Sequence, residues 1–521
     1  MRREYIDRRI EICSAKLIKA WLKYEFPGRR QADGELKHSS FQWRAEHFNG
    51  TDWDEKMWKN AIYKIIDDPT TTTVGSAAES EKQGDDSQTV SQQKKEGRSL
   101  TRFLSSSSPL RSLLHHLKSS PTHSVPHQRP GKTWALDLPP SALGNGDYLI
   151  FSNIWHAHPS VRADLCAWGK WMVTTLGITA FRIDAALHIS CGFLREWIAA
   201  VQKASWETYG KNAWVVGEVW DRDGAKVRGW IDAVGPLAEE MNGKEEGEVQ
   251  IYAYDVPLLM NFSRISEAVR THSRDADLRT LLTGPSSRRA SSTGQVDSRA
   301  LVALRPANAV TLVTNHDTQP GQASYTPMDS SLKALFYAFI LLRQDGLPCV
   351  FWGDLIGTQG PHAEGPACRI PVYGPGSERV ALRDVREGEE SAAQVEWTRS
   401  VLPSLMLARK LFAYGEQRDY FDSAECIGWT RAGTGDRSGC VVVMSIGEIG
   451  TRTRKRMAAG SEGERWMDVL QEEGRRAVVI IDGDGFGNFP SCGCSVGVFV
   501  REGSDGFERF PMVFESEAFA G

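Results

Sequence analysis

From Tyr148 to about Trp352, short runs of β-branched and aromatic residues alternate with longer stretches of helical period, and this alternation constrains the fold more than any other feature. Val161 to Leu176 predicts a helix, Ile178 to Ile183 a strand, Phe193 to Ser205 a helix and Trp214 to Val219 a strand. Ile251 to Val256, Val310 to Thr314 and Pro348 to Trp352 are further strand candidates. Five such strands with intervening helices predict an α/β architecture, most of a (β/α) barrel. Beyond Phe412 the helical pattern stops. Gly439 to Met444 and Ala477 to Ile481 alternate with Gly-rich turns, which predicts a small antiparallel β-domain.

Polar residues at the C-terminal ends of barrel strands face the active site, so what terminates each strand matters most. Three strands end in carboxylates: Phe181-Arg182-Ile183-Asp184-Ala185-Ala186-Leu187-His188, Val216-Gly217-Glu218-Val219-Trp220 and Thr314-Asn315-His316-Asp317-Thr318-Gln319. Taken singly, a strand-end Asp or Glu is more often a helix cap or a solvated charge. Together they suit glycosidic cleavage with retention, which needs a carboxylate nucleophile and a protonated partner about 5 to 5.5 Å away. Asp184 and Glu218 fall on successive strands. Arg182 lies two residues before Asp184, on the same strand face, where it can pair with that carboxylate. Val216, Val219 and Trp220 give Glu218 apolar company, which predicts a raised pKa, as a general acid requires.

The remaining features exclude more than they assign. With 521 residues, 41% of them hydrophobic, the chain can bury a sizeable core. A formal net charge of -4 leaves no basic footprint for nucleic acid. The longest apolar stretch, Ala334 to Leu342, is far short of the ~20 residues of a membrane span and reads as a buried helix. Met1 to Ile10 lacks an apolar core and cleavage site, so a cytoplasmic protein is expected. Nine scattered cysteines suit a reducing compartment, and the lone Cys492-Gly493-Cys494 lacks the second pair of a zinc site. Asp482-Gly483-Asp484-Gly485-Phe486-Gly487 reads as a hairpin turn. Asp67 to Arg129 and Gly284 to Asp297 are polar insertions, the first expected to be disordered. No Trp is singled out as a sugar-stacking platform, because Trp more often packs.

The three carboxylate segments resemble the signatures of the α-amylase family of glycoside hydrolases. Trp21 to Arg29, Phe41 to Glu55, Asn315 to Gln322, Phe351-Trp352-Gly353-Asp354 and Asp419 to Arg431 are similar to the liquefying bacterial and fungal intracellular members. The resemblance implies endo-hydrolysis of α-1,4 bonds in starch, glycogen or maltooligosaccharides, with an α-glucan as partner, and leaves the oligomeric state open. Asp184 then matches the nucleophile, Glu218 the acid/base, and Asp317 the residue that distorts and holds the sugar. Arg182 and His316 match residues contacting the nucleophile and the cleaved sugar. His188 matches one whose side chain meets a product-side sugar and whose carbonyl meets a calcium ion.

The implied fold is a TIM-type (β/α)8 barrel lacking its first three strands. Residues 1–148 would be an irregular inserted lobe, 149–411 strands four to eight, 412–501 the β-domain and 502–521 a tail. The family's first signature has no counterpart here, which is expected of an incomplete gene model or a mis-assigned start. Calcium would fall to Asp147, Asn153 and His188, weakened because Trp155 and Ala157 stand where bacterial relatives carry carboxylates. Leu187 stands where the family usually has a product-side Lys, which leaves transfer to a second glucan open beside hydrolysis. A catalytically impaired, glucan-binding fragment is the other reading left open.

Overall fold

Strand formation follows the β-branched runs closely, because each buries at least one face. The structure is a computed structural model and describes residues 18–22, 41–65, 132, 135, 137, 151–235, 250–285, 296–372, 397–449 and 451–512. Asp147 and the insertion at about 67–129 lie outside the described residues, as does most of the segment 284–297. The chain divides into two compact units, one of residues 1–179, 187–213 and 233–247, the other of 180–186, 214–232 and 248–521.

In the first unit β1 (Phe48–Asp54) pairs antiparallel with β2 (Lys59–Lys64) on one side and β3 (Ser152–Ile154) on the other. Helices α1 (Pro159–Leu176) and α2 (Cys191–Tyr209) follow, both longer than the apolar period alone predicts. Pro159 opens α1, where its missing N–H costs nothing, and Ser190 caps α2 by accepting the Phe193 N–H. The two helices meet through Trp197, whose Nε1 donates to the Leu165 carbonyl at 3.1 Å.

The second unit carries a five-stranded parallel sheet in sequential order: β4 (Ala180–Ile183), β5 (Trp214–Gly217), β6 (Ile251–Tyr254), β7 (Ala309–Leu312) and β8 (Leu347–Cys349). All five strands expected from the sequence are present; β4 ends at Ile183 as expected, and the other four end two or three residues short of their apolar runs. Registers Arg182↔Val216↔Tyr252 and Tyr254↔Val310↔Leu347 place these residues on one face. The opposite face is largely buried, with Ile183, Val215, Ile251, Ala253 and Ala309 in the core and Phe181 and Pro348 partly exposed at its margins. On the Arg182 face only the middle, Val216, Val310 and Leu312, is buried. Its margins are open, with Trp214 37% and Leu347 41% exposed.

Helices α3 (Gly224–Val234) and α4 (Val256–Arg270) follow β5 and β6. Helix α5 (Ser330–Leu342) is buried from Leu332 to Leu342, as the apolar run foretells. Its C-terminal carbonyls are taken up from elsewhere in the unit: Trp429 Nε1 donates to Leu342 O at 3.3 Å and Arg409 to Leu341 O at 2.6 Å. Arg409 itself lies on α6 (Leu402–Phe412).

Strands β9 (Gln417–Tyr420) through β16 (Ser495–Arg501) are antiparallel. Six of them form one sheet, while β12 (Arg452–Ala458) and β15 (Phe486–Cys492) pair separately. Val441, Val443, Met457, Trp466, Phe489 and Phe499 form their common core. The segment Asp482 to Gly487 departs from the expected hairpin. It carries the chain from β14 (Val478–Ile480), in the large sheet, to β15, in the small one. Asp482 Oδ1 makes the turn by accepting the Asp484 and Phe486 N–H groups at 3.1 and 2.9 Å.

Candidate functional site

Parallel strands end at one edge of their sheet, so β4, β5 and β7 deliver Asp184, Glu218 and Asp317 to the same side, with β6 between the last two. The β4–β5 ladder continues past both strand ends. Glu218 N–H donates to Ile183 O at 2.9 Å and Ala186 N–H to Glu218 O at 3.1 Å, so the two carboxylate-bearing residues share one rigid backbone pairing. Gly217 lets the strand sit there: a Cβ on it would lie 2.2 Å from the ring of Trp230, a fully buried indole on α3.

Arg182 joins the two carboxylates, with Nη1 2.5 Å from Asp184 Oδ1 and Nη2 2.9 Å from Glu218 Oε1. Burial works against its charge, but Glu218 and Asp184 outweigh it and hold the guanidinium proton more tightly than usual. The expectation that Arg182 faces Asp184 is met, and the second link to Glu218 goes beyond it. Glu218 Oε2 also accepts the Ala185 N–H at 3.0 Å. Ala185 adopts φ 47°, in the left-handed region that disfavours side chains, and this turn aims its N–H at Glu218. Glu218 therefore has the buried Val216 and Val219 beside it but is not in purely apolar company. Its side chain is 11% exposed against 74% for Asp184.

Tyr254, which sequence reasoning passed over, hydrogen bonds with Arg182, and burial pushes its phenol up, helped by the nearby Cys349 thiol. Its signal was positional: it ends β6 on the Arg182 face. Asp255, the next residue, shows the opposite outcome for a strand-end carboxylate. It is fully buried, accepts the Leu258, Leu301 and Val302 N–H groups, and is structural.

Asp317 stands in a loop built by Asn315, whose Oδ1 accepts the Asp317 and Thr318 N–H groups at 3.0 and 2.9 Å. His316 Nε2 lies 3.4 Å from Asp317 Oδ2, and both side chains are half exposed or more. Trp352, directly after β8, is an exposed indole on a residue assigned no role from sequence. In the first unit His188 closes a short 3-10 turn and Leu187 is buried, so the Leu that replaces a family Lys packs rather than lines a surface.

Of the expected calcium ligands, Asp147 lies outside the described residues. Asn153 donates its side-chain amide to Asn49 Oδ1 at 2.7 Å. Among the described residues no group of three or more His, Cys, Asp or Glu side chains is placed to hold a metal. The eight described cysteines are unpaired, and burial pushes the Cys492 and Cys494 thiols up to about 11. No helix among the described residues is long and apolar enough to cross a membrane.

A parallel sheet with three carboxylates beyond its C-terminal edge, two of them clamped by one arginine, defines a (β/α) protein of the class whose sites lie at the strand ends. Over 95% of its length the chain is 29% identical to the α-amylase of Bacillus licheniformis, spanning 70% of that protein. It is 30% identical over 95% of its length to the α-amylase of Geobacillus stearothermophilus, spanning 65% of it. It is 29% identical over 96% of its length to the cytoplasmic α-amylase of Escherichia coli K12, spanning 74% of it. The chain is thus similar to curated α-amylases along nearly its whole length. No family model matches it. Among solved structures a cyclomaltodextrinase matches 68% of this chain and 52% of its own at 15% identity, with a TM-score of 0.41.

Proposed function

We propose that this chain hydrolyses internal α-1,4 bonds of an α-glucan by double displacement. The observation that carries the reading is the Arg182 bridge, which holds Asp184 and Glu218 through neighbouring nitrogens of one planar group at the ends of adjacent strands. That closeness favours the short spacing of a retaining site, about 5 to 5.5 Å, over the wider gap that leaves room for an inverting water. Asp184, exposed and paired with a fixed positive charge, is the nucleophile. It attacks the anomeric carbon as Glu218 gives its proton to the departing glycosidic oxygen. Water then breaks the glycosyl ester, losing its proton to Glu218. Glucan entry draws Arg182 off Glu218, so that the latter can carry a proton. Asp317 and His316 take the sugar hydroxyls, and their exposure suits that contact. A calcium ion held by Asp147, Asn153 and His188 would brace the first unit structurally.

On this reading the sheet supplies strands four to eight of a (β/α)8 barrel, and its Arg182 face is the barrel interior. Its sequential strand order and partly apolar interior residues support this. The reading is tested by reducing-end release from soluble starch. Wild type is expected to be active and Asp184→Asn to fall by at least about a thousandfold, as expected when a nucleophile is removed. A folded wild type without activity, or an unaffected variant, overturns it.

A further inference from the structure

We propose that His362 is a positioning residue for Asp317, the contact point of a clamped loop that fixes the Asp317 turn from outside. The proposal rests on Asp317 holding the sugar. Three observations connect the two. Gly321, four residues after Asp317, has φ 86°, and a Cβ there would lie 2.3 Å from His362 Cδ2. The imidazole thus occupies the side-chain space of Gly321, against the backbone of the turn. The segment bearing His362 also folds back on itself: Thr358 N–H donates to Glu364 O and Glu364 N–H to Thr358 Oγ1, each at 2.8 Å.

This segment is anchored at its base by a buried polar cluster. Asp354 receives Lys333 Nζ on one oxygen and the Tyr337 hydroxyl on the other, both at 2.7 Å, and its carbonyl takes the Ala367 N–H at 2.8 Å. Lys333 and Tyr337 sit four residues apart on one face of α5. Removing two charges from water is costly, and truncating one partner strands the other. Such a pair fixes geometry more than it adds stability. Here it fixes where the segment after β8 leaves the sheet, and so where His362 stands. His362 itself is exposed and makes no part of the buried core.

The turn bearing Asp317 is held by Asn315, Thr318 and Gln319 and tied to the following segment by the Thr326 N–H, which donates to Thr318 O at 3.1 Å; on the Gly321 side the His362 ring is the stop that limits its movement. Displacement of about 1 Å at a group acting in the transition state is enough to cost up to about a hundredfold in rate.

The test uses the full chain with soluble starch and a maltooligosaccharide, together with amide hydrogen exchange over residues 315–322. His362→Ala is expected to lower kcat about ten- to a hundredfold while KM moves by less than about threefold. Exchange in the turn should quicken and the thermal midpoint stay unchanged. His362→Phe, which keeps a flat ring over Gly321, should restore both readouts. Asp317→Asn is measured alongside. If that variant keeps its kcat, the reading of the site fails. If it is inactive while His362→Ala leaves kcat and exchange as in wild type, the positioning role is overturned. Unchanged exchange overturns it even where turnover is absent.

Discussion

At the residue scale, most of the site is written in strand-end identities, and the rest depends on backbone conformations that identity does not reveal. Asp184, Glu218 and Asp317 were legible because each follows a β-branched run, and Arg182 because a strand alternates its faces. The Ala185 N–H contact to Glu218 was not, because an Ala at positive φ has no sequence signal. Gly217 points the same way. In sequence it is a glycine weakening a strand; in the fold it is the seat of the Trp230 ring, one residue before Glu218. Gly217→Ala should therefore push strand and indole apart, costing on the order of 1 to 3 kcal/mol as overpacked cores do. Because Glu218 moves with the strand, kcat should fall more than KM rises. Urea unfolding together with starch kinetics checks this, and a variant matching wild type in both would show that β5 does not depend on that contact.

At the element scale, the sequence was reliable about which stretches are helices and strands and poor about where they stop or whom they pair with. The five parallel strands came from apolar runs, yet all but β4 end early because the residues beyond bend into loops. The turn at Asp482 to Gly487 looked like a hairpin because its chemistry is that of a tight turn. Pairing is set by partners far away in sequence, and these lie in different sheets. The turn between β3 and α1 carries a pH response. His156 stacks on Phe193 with ring centroids 4.6 Å apart, and burial, helped by Arg162 and opposed by Asp137, lowers its pKa to about 4. The folded protein thus refuses a proton that the unfolded chain accepts below about 6.5. This contribution is complete above about pH 6.5 and lost as pH falls toward 4, on the order of 2 to 3 kcal/mol. Asp255 works in reverse: burial raises its pKa to about 6, so its contribution is recovered as pH falls from about 6 to 4. The two slopes overlap, so the informative quantity is a difference. Between pH 7 and 4.5, His156→Gln should lose less stability than wild type by denaturant titration, and parallel curves would rule the effect out.

At the scale of the whole molecule, the exposed part of the sheet has the greatest consequence. In the second unit one face of the parallel sheet is largely buried, while the Arg182 face carries exposed Trp214, Leu347 and Cys349 and, among the described residues, ends at two single-partnered strands, β4 and β8. A parallel sheet is ordinarily covered on both faces, and open strand edges invite pairing with other chains. The chain spans 65 to 74% of the length of its α-amylase relatives, and this face is where further covering structure would be needed. The chain is therefore expected to self-associate through these margins in a concentration-dependent way. Leu347→Lys places a charge on the exposed end of an edge strand, where it interrupts pairing without filling buried space. Sedimentation velocity over a dilution series should show wild type in oligomers that the variant sheds, with little change in thermal midpoint. A wild type that stays monomeric at all concentrations would mean that the open face is tolerated as it stands. A variant that unfolds instead would mean that Leu347 is covered in solution, and that the Arg182 face is closed by a part of the chain outside the described residues.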